Sequence, residues 1–233
     1  MRGFIITGTS SGIGKELCKL LLEDNKNRVI GICRTQKIQH RNYHHINIDL
    51  NNIAEIEALD FSDWTQAEQI CLIHNAGWIG PIKKIADQNA ESIATAYMIN
   101  LVAPAILSSK FIFRYKNSNA QKVILSISSG AAHSAIEGWN TYCSSKAGLD
   151  MLSKCIDKEY KEIITLSIAP GKVNTSMQNY IRLADEKAFP RLKEFQNYHK
   201  DGSLSDGKEV AFKYKKILEN PYKYISLTHI KDL

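Results

Sequence analysis

The segment Thr7-Gly-Thr-Ser-Ser-Gly-Ile-Gly14 constrains this chain more than any other. It follows a short apolar run, Gly3–Thr7, and opens a helical pattern from Lys15. A strand, a glycine-rich turn and a helix in that order gather backbone amides and the positive end of a helix dipole at one point. Glycine allows the tight turn and the close approach of a pyrophosphate. Spacing narrows the choice. Glycines at 8, 12 and 14 do not form G-x-G-x-x-G. Gly14-Lys15 stands one residue too far from Gly8 for a P-loop, and Glu16 replaces the hydroxyl that would bind Mg²⁺.

Beyond this loop, apolar runs alternate with helical patterns. Strands are expected at Gly3–Thr7, Arg28–Cys33, Tyr43–Ile48, Gln69–His74, Lys122–Ile127, Ile163–Ile168 and Tyr224–Thr228. Helices are expected near 13–24, 51–60, 89–116, 139–160 and 207–219. Repeated β-then-α order predicts an α/β fold: a single doubly wound (Rossmann-type) parallel sheet with helices on both faces. No Pro/Gly/Ser-rich linker interrupts the 233 residues, so one domain, 1–233, is expected. Residues 34–42 are too few for a crossover helix and predict a loop. The long mixed stretch 174–206 predicts a lid over a substrate, or equally a surface helical pair with no role in catalysis.

Composition excludes more than it selects. The formal charge of +6 suits a phosphorylated small molecule as well as a nucleic acid, but basic residues form no concentrated run and no nucleic-acid motif is present. Cys18, Cys33, Cys71, Cys143 and Cys155 form no C-x-x-C pair, which predicts reduced thiols. No signal peptide is recognisable and no apolar run approaches the ~18 residues of a membrane span, so a cytoplasmic protein without a membrane partner is expected. His40, His44 and His45 lack a Cys or carboxylate at ligand spacing, and no metal is expected.

Tyr142 and Lys146 lie at i, i+4 in a helical pattern and project from one face. A nearby ammonium favours a phenolate, so Lys146 is expected to lower the Tyr142 pKa and fit it for general acid–base work. Ser128 and Ser129 follow the strand Lys122–Ile127, and a hydroxyl there can hydrogen-bond a substrate carbonyl.

The loop T-G-x-x-x-G-x-G, followed by Ser, Tyr and Lys in this order, resembles the short-chain dehydrogenase/reductase family. The resemblance runs over residues 7–177. It implies that Ser129, thirteen residues before Tyr142, is the serine that acts. It also implies that Asn100, in M-I-N-L-V-A-P, holds a water that relays protons to Lys146. Cofactor contacts are implied for Gly8, Ser10, Ser11, Gly12, Ile13 and Gly14, and for Tyr142 and Lys146. His74-Asn75-Ala76-Gly77 resembles the family's N-N-A-G, which lines the adenine-ribose side; His74 replaces the first Asn and puts one structural hydrogen bond in doubt. Asp49-Leu50 falls where the family contacts the adenine. Pro170, Gly171, Val173 and Thr175 fall in the segment that packs on the nicotinamide carboxamide.

An acidic residue after the second strand of such folds binds the ribose diol of NAD, and an Arg accommodates a 2′-phosphate. Here Arg34 stands there, with Lys37 and Arg41 close in sequence, so the implied cofactor is NADP(H) and the implied direction is carbonyl reduction. The segments G138-W-N-T-Y-C143, K146-A-G-L-D-M-L152 and A169-P-G-K-V-N-T-S-M-Q178 are similar to the sepiapterin reductase and bacterial benzil reductase group. Trp78, Trp139, Met177 and Tyr180 would then wall an apolar substrate pocket. Sepiapterin reductases anchor pterin with a carboxylate near the C-terminus; here the count reaches Thr228 or His229, which favours an aromatic or vicinal dicarbonyl. The family association implies a homodimer or homotetramer through 89–116 and 139–160, with Met98, Leu101, Ile106 and Phe113 as apolar positions. The alternative is a catalytically silent dinucleotide-binding sensor of the same fold, against which the intact Asn100, Ser129, Tyr142 and Lys146 stand.

Overall fold

Strands that are apolar on both sides must be covered on both sides, and the Ile/Val-rich runs of this chain meet that condition. The computed structural model describes residues 1–225 and 228–233. In chain order it contains β1 (Arg2–Thr7), α1 (Gly12–Leu22), β2 (Asn27–Ile32), β3 (Tyr43–Ile46), α2 (Ile53–Ala58) and β4 (Gln69–His74). Then follow α3 (Ala90–Tyr97), α4 (Ala103–Tyr115), β5 (Gln121–Ile127), α5 (Asn140–Glu159), β6 (Ile163–Ile168), α6 (Ser176–Ile181), α7 (Leu192–Lys200) and α8 (Gly207–Glu219). The six strands form one all-parallel sheet in the order β3-β2-β1-β4-β5-β6. The order reverses between β1 and β4, which opens a crevice at the carboxyl ends of those two strands.

Alternate residues of each strand feed opposite layers. Phe4, Ile6, Cys71 and Ile73 pack with Leu17 and Leu21 of α1 and Val210, Tyr214 and Ile217 of α8. Ile5, Ile70 and Leu72 pack with Ile56 of α2, Leu107, Phe111 and Tyr115 of α4 and Ile156 of α5. Phe111 is fully buried and stands edge-on to Phe61 and Tyr115.

Three expectations are adjusted. The helix expected over 89–116 is interrupted by a π-turn, Met98–Val102, between α3 and α4. Pro104 has no N–H to offer the Asn100 carbonyl four residues back, so the α-ladder is broken there. Ala90–Tyr115 as a whole also has the length and apolar composition of a membrane span, although its apolar residues are not consecutive. Its Ala103, Leu107, Phe111 and Tyr115 are fully buried against the sheet. Of the strand expected at Tyr224–Thr228, Tyr224 instead closes a 3₁₀ turn, Pro221–Tyr224, and residues 226 and 227 lie outside the described residues. Parallel pairing beside β6 occurs just beyond, as a single bridge between Ala169 and His229. Residues 34–42 form a loop without helix, as expected.

Replacing Phe111 by Ala empties the centre of one layer and should cost about 3–5 kcal/mol of stability. The midpoint of urea unfolding measures this, and a midpoint equal to wild type would contradict the packing described.

Candidate active site

The glycine loop is shaped from three directions. Gly8 and Gly12 have φ of 76° and 56°, a region that side-chain-bearing residues rarely enter. Asn75, just past β4, reaches back: its Nδ2 donates to the Thr7 carbonyl (2.9 Å) and the Gly8 carbonyl (3.1 Å). The Thr7 hydroxyl accepts from the amides of Asn75 and Ala76, each at 3.0 Å. A Cβ on Gly14 would lie 2.2 Å from Asn75 Nδ2 and 2.6 Å from the Gly8 carbonyl oxygen, so only glycine fits. From β3, the Tyr43 hydroxyl lies 2.9 Å from Thr9 Oγ1 beneath the loop. Ser11 precedes α1 without a side-chain capping bond, so no side chain occupies the first amides of the helix. Ser10 is half-buried, Ser11 exposed and Ile13 buried. An uncapped helix start beneath two left-handed glycines fits the pyrophosphate of a dinucleotide.

The adjoining residues fall around the same crevice. Arg34, Lys37 and Arg41 are exposed on the loop after β2, and among the described residues none forms an ion pair. Asp49 accepts from the Asn51 amide at a turn, while Leu50 is buried in the core. Thr175 reaches the glycine loop: a Cβ on Gly12 would lie 3.5 Å from Thr175 Cγ2. Gly171 has φ of 77°, Pro170 is half-buried and Val173 buried. His229 sits against Gly171, its Cε1 3.3 Å from where a Cβ would be, so an imidazole occupies that neighbourhood. His74 stands where the resembled family has its first Asn, and its Nδ1 is buried without a hydrogen-bond partner among the described residues. It is buried, and its Nε2 lies 2.9 Å from Ser108 Oγ. Burial pulls its pKa down to about 3, and the Lys146 charge adds to this.

Tyr142 and Lys146 project from α5 against the end of β5. Lys146 Nζ donates to the Ile127 carbonyl at 2.8 Å and lies 6.0 Å from the Tyr142 ring centroid. The two serines separate by partner. Ser128 Oγ donates to Asp150 at 2.6 Å, whereas Ser129 Oγ accepts from the Ala131 amide at 3.2 Å and its hydroxyl favours the ionised form of Tyr142. Asn100 is fully buried; its Oδ1 accepts from the Trp78 amide and its Nδ2 donates to the Trp78 carbonyl, both at 2.8 Å. A third bond runs from Nδ2 to Ser145 Oγ, adjacent to Lys146.

The electrostatics differ from the sequence expectation. Burial pushes Tyr142 up to about 12, and the Ser129 hydroxyl opposes this. Lys146 is pulled down to about 8 by burial, with Asp150 opposing. The pair therefore holds a neutral phenol and an ammonium at neutral pH. A neutral phenol beside a serine hydroxyl can protonate an oxyanion placed against both.

Of the four residues expected to wall a pocket, two join Tyr142. Trp139 stands edge-on to Tyr142 at 5.8 Å and stacks on Phe189 at 5.3 Å. Met177 packs on the same cluster, which also takes Ile181, Leu192 and Phe195 from the 174–206 stretch. Sequence reasoning missed Phe189 and Phe195, which carry no local motif. Trp78 is half-buried outside this cluster, held through its backbone by Asn100. Tyr180 is half exposed and lines a groove of about 710 Å³ with Ile82, Leu183 and Ala188. Trp139 Nε1 is buried and has no hydrogen-bond partner among the described residues.

A doubly wound parallel sheet with a glycine loop at its switch point, and Ser, Tyr and Lys at the end of β5, defines a dinucleotide-type oxidoreductase. The family model described as short chain dehydrogenase matches residues 3–186, and the chain belongs to that family. Among curated proteins it is 33% identical to benzil reductase ((S)-benzoin forming) of Bacillus subtilis (strain 168), over 94% of each chain. It is 31% identical to sepiapterin reductase of Xenopus tropicalis, over 66% of this chain and 59% of that one. Among solved structures, the KRED1-Pglu enzyme superposes with a TM-score of 0.85 at 24% identity, covering 94% of this chain and 95% of that one, a likeness of fold.

His74 makes stability depend on pH with a defined sign. Its folded pKa lies below the unfolded value of 6.5, so the unfolded chain binds a proton that the folded chain does not. Its contribution is complete above pH 6.5 and is lost as pH falls toward about 3. Between about pH 7 and about pH 5, wild type should lose about 2 kcal/mol more than His74→Asn, read by urea unfolding. Equal losses would contradict a buried neutral imidazole.

Proposed function

We propose that the protein is an NADPH-dependent carbonyl reductase acting on a ketone or α-diketone. The observation that carries this reading is Tyr142, buried beside Lys146, whose Nζ is held by the Ile127 carbonyl at the end of β5 two residues before Ser129. When bound, NADPH supplies the hydride. The chain's own groups then handle the oxygen. Ser129 and Tyr142 donate to the carbonyl oxygen and stabilise the negative charge that develops there. Tyr142 delivers its proton as general acid; its pKa of about 12 does not prevent this, because an alkoxide is a stronger base than a phenolate. Lys146 stabilises the resulting charge, and Asn100 holds the turn through which water reprotonates the site.

Gly8, Ser10, Ser11, Gly12, Ile13 and Gly14 would hold the pyrophosphate, Asn75, Ala76, Gly77, Asp49 and Leu50 the adenosine side, and Pro170, Gly171, Val173 and Thr175 the carboxamide. Arg34, exposed and without an ion-pair partner among the described residues, supports a 2′-phosphate and hence NADP(H). Trp139 beside Tyr142 favours an aromatic substrate, and its unpartnered Nε1 adds a donor suited to a second carbonyl. The named activity of the Bacillus subtilis relative agrees with this. The 174–206 stretch, whose Phe189 and Phe195 close over Trp139, acts as the lid. Exposed Phe113 on α4 and Met151 on α5 support a homodimer or homotetramer. A cytoplasmic location completes the proposal.

Tyr142→Phe should bind NADPH but reduce an aromatic α-diketone about 10²- to 10⁴-fold more slowly in kcat/KM. Normal turnover would contradict the mechanism. NADPH binding without reduction of any panel carbonyl by wild type would favour the silent sensor instead. Arg34→Ala should weaken NADPH by about 10- to 100-fold and leave NADH nearly unchanged. An unaltered preference between the two would remove the cofactor assignment.

A further inference from the structure

Asp150 lies one helical turn beyond Lys146, so Tyr142, Lys146 and Asp150 follow one another at i, i+4 and i+8 along α5. Its residue is buried, yet its carboxylate gathers three partners from three other elements. Ser128 Oγ at the end of β5 and Ser167 Oγ of β6 each donate to Oδ1 at 2.6 Å, and His133 Nε2 lies 3.3 Å from Oδ2. His133 belongs to the turn after β5, whose first residue, Gly130, follows Ser129 directly. One carboxylate thus ties both sides of Ser129 to the helix that carries Tyr142 and Lys146.

Groups facing this cluster are few among the described residues. Asp150 faces Lys146 on its own helix and His133 from the turn, while β5 and β6 present only hydroxyls. Lys146 faces Tyr142 and Asp150 on α5 and His74 from β4. Asp150 is the one negative charge in this set. Among the described residues Lys146 has no other anion to hold its proton against burial, and its own hydrogen bond goes to a neutral carbonyl.

We infer that Asp150 is a positioning residue for the Ser129–Tyr142–Lys146 unit: its carboxylate keeps the Lys146 ammonium charged and fixes the turn that presents Ser129. This rests on the reading of Tyr142 and Lys146 given under Proposed function. Charge and hydrogen bonding can be separated by substitution. Asp150→Asn keeps an oxygen able to accept from the serines and removes the negative charge.

The test is the pH profile of NADPH-dependent reduction of an aromatic α-diketone. Its alkaline limb, where Lys146 loses its proton, should move down by about 0.5–1 pH unit in Asp150→Asn, with KM and thermal midpoint near wild type. Asp150→Glu, which restores the charge, should return the limb toward its wild-type position. If Asp150→Asn does not fold, His133→Lys carries the same question from an exposed position. A permanent cation there offsets the carboxylate and should move the limb in the same direction by less. An unmoved limb in whichever of these variants folds, or a rate loss that merely follows a lowered thermal midpoint, would overturn the inference. Failure here with Tyr142→Phe inactive leaves the catalytic reading intact; an active Tyr142→Phe would remove that reading itself.

Discussion

Burial of Tyr142 and Lys146 against the end of β5 is the interaction on which the rest of the site depends. Two ionisable groups this enclosed cannot both carry charge cheaply, and burial moves each toward its neutral form. The phenol remains a phenol, pushed up to about 12. The lysine, pulled down to about 8, keeps its proton at neutral pH with the help of a carboxylate one turn away. A protonated acid beside a cation is the state that carbonyl reduction requires at its start. The fold supplies the enclosure: β5 brings the Ile127 carbonyl and Ser129, α5 brings the pair, and Trp139 with Phe189 shuts the outer side.

The same sheet brings the two halves of the site together. Asn75, at the end of β4, tethers the glycine loop through the carbonyls of Thr7 and Gly8. Three residues later the backbone of Trp78 is clamped by Asn100 from the π-turn. The segment 75–78 therefore joins the loop that suits a pyrophosphate to the helix turn beside Lys146. His74 precedes this segment and lies 2.9 Å from Ser108 Oγ through its Nε2.

Much of this was legible in the chain itself. Both-sided apolar runs marked the strands, and the spacings of Gly8, Gly12, Gly14, Ser129, Tyr142 and Lys146 picked out residues that the fold gathers at the carboxyl ends of the strands. Where sequence reasoning fell short, the cause was tertiary. Lys146 was expected to lower the Tyr142 pKa; the depth of burial, which no spacing reveals, reverses the balance. Tyr180 does line a groove, but on the half-exposed side of α6, apart from the Trp139 cluster in which Ile181 takes the inward place. Phe189 and Phe195 lie in a mixed polar stretch with no period to mark them. The π-turn did leave a trace, Asn100 followed four residues later by Pro104, which locates the missing helical bond. Asp150 left none, because its partners come from three separate elements.

The protonation state of Tyr142 is the centre of this account, and the ionisation of that one side chain tests it most directly. The tyrosinate absorbance of wild type minus that of Tyr142→Phe, followed against pH in the free protein, isolates the residue. Tyr142 should show no ionisation at about pH 10, where a solvated phenol is half ionised. A tyrosinate assigned to Tyr142 at neutral pH would contradict it.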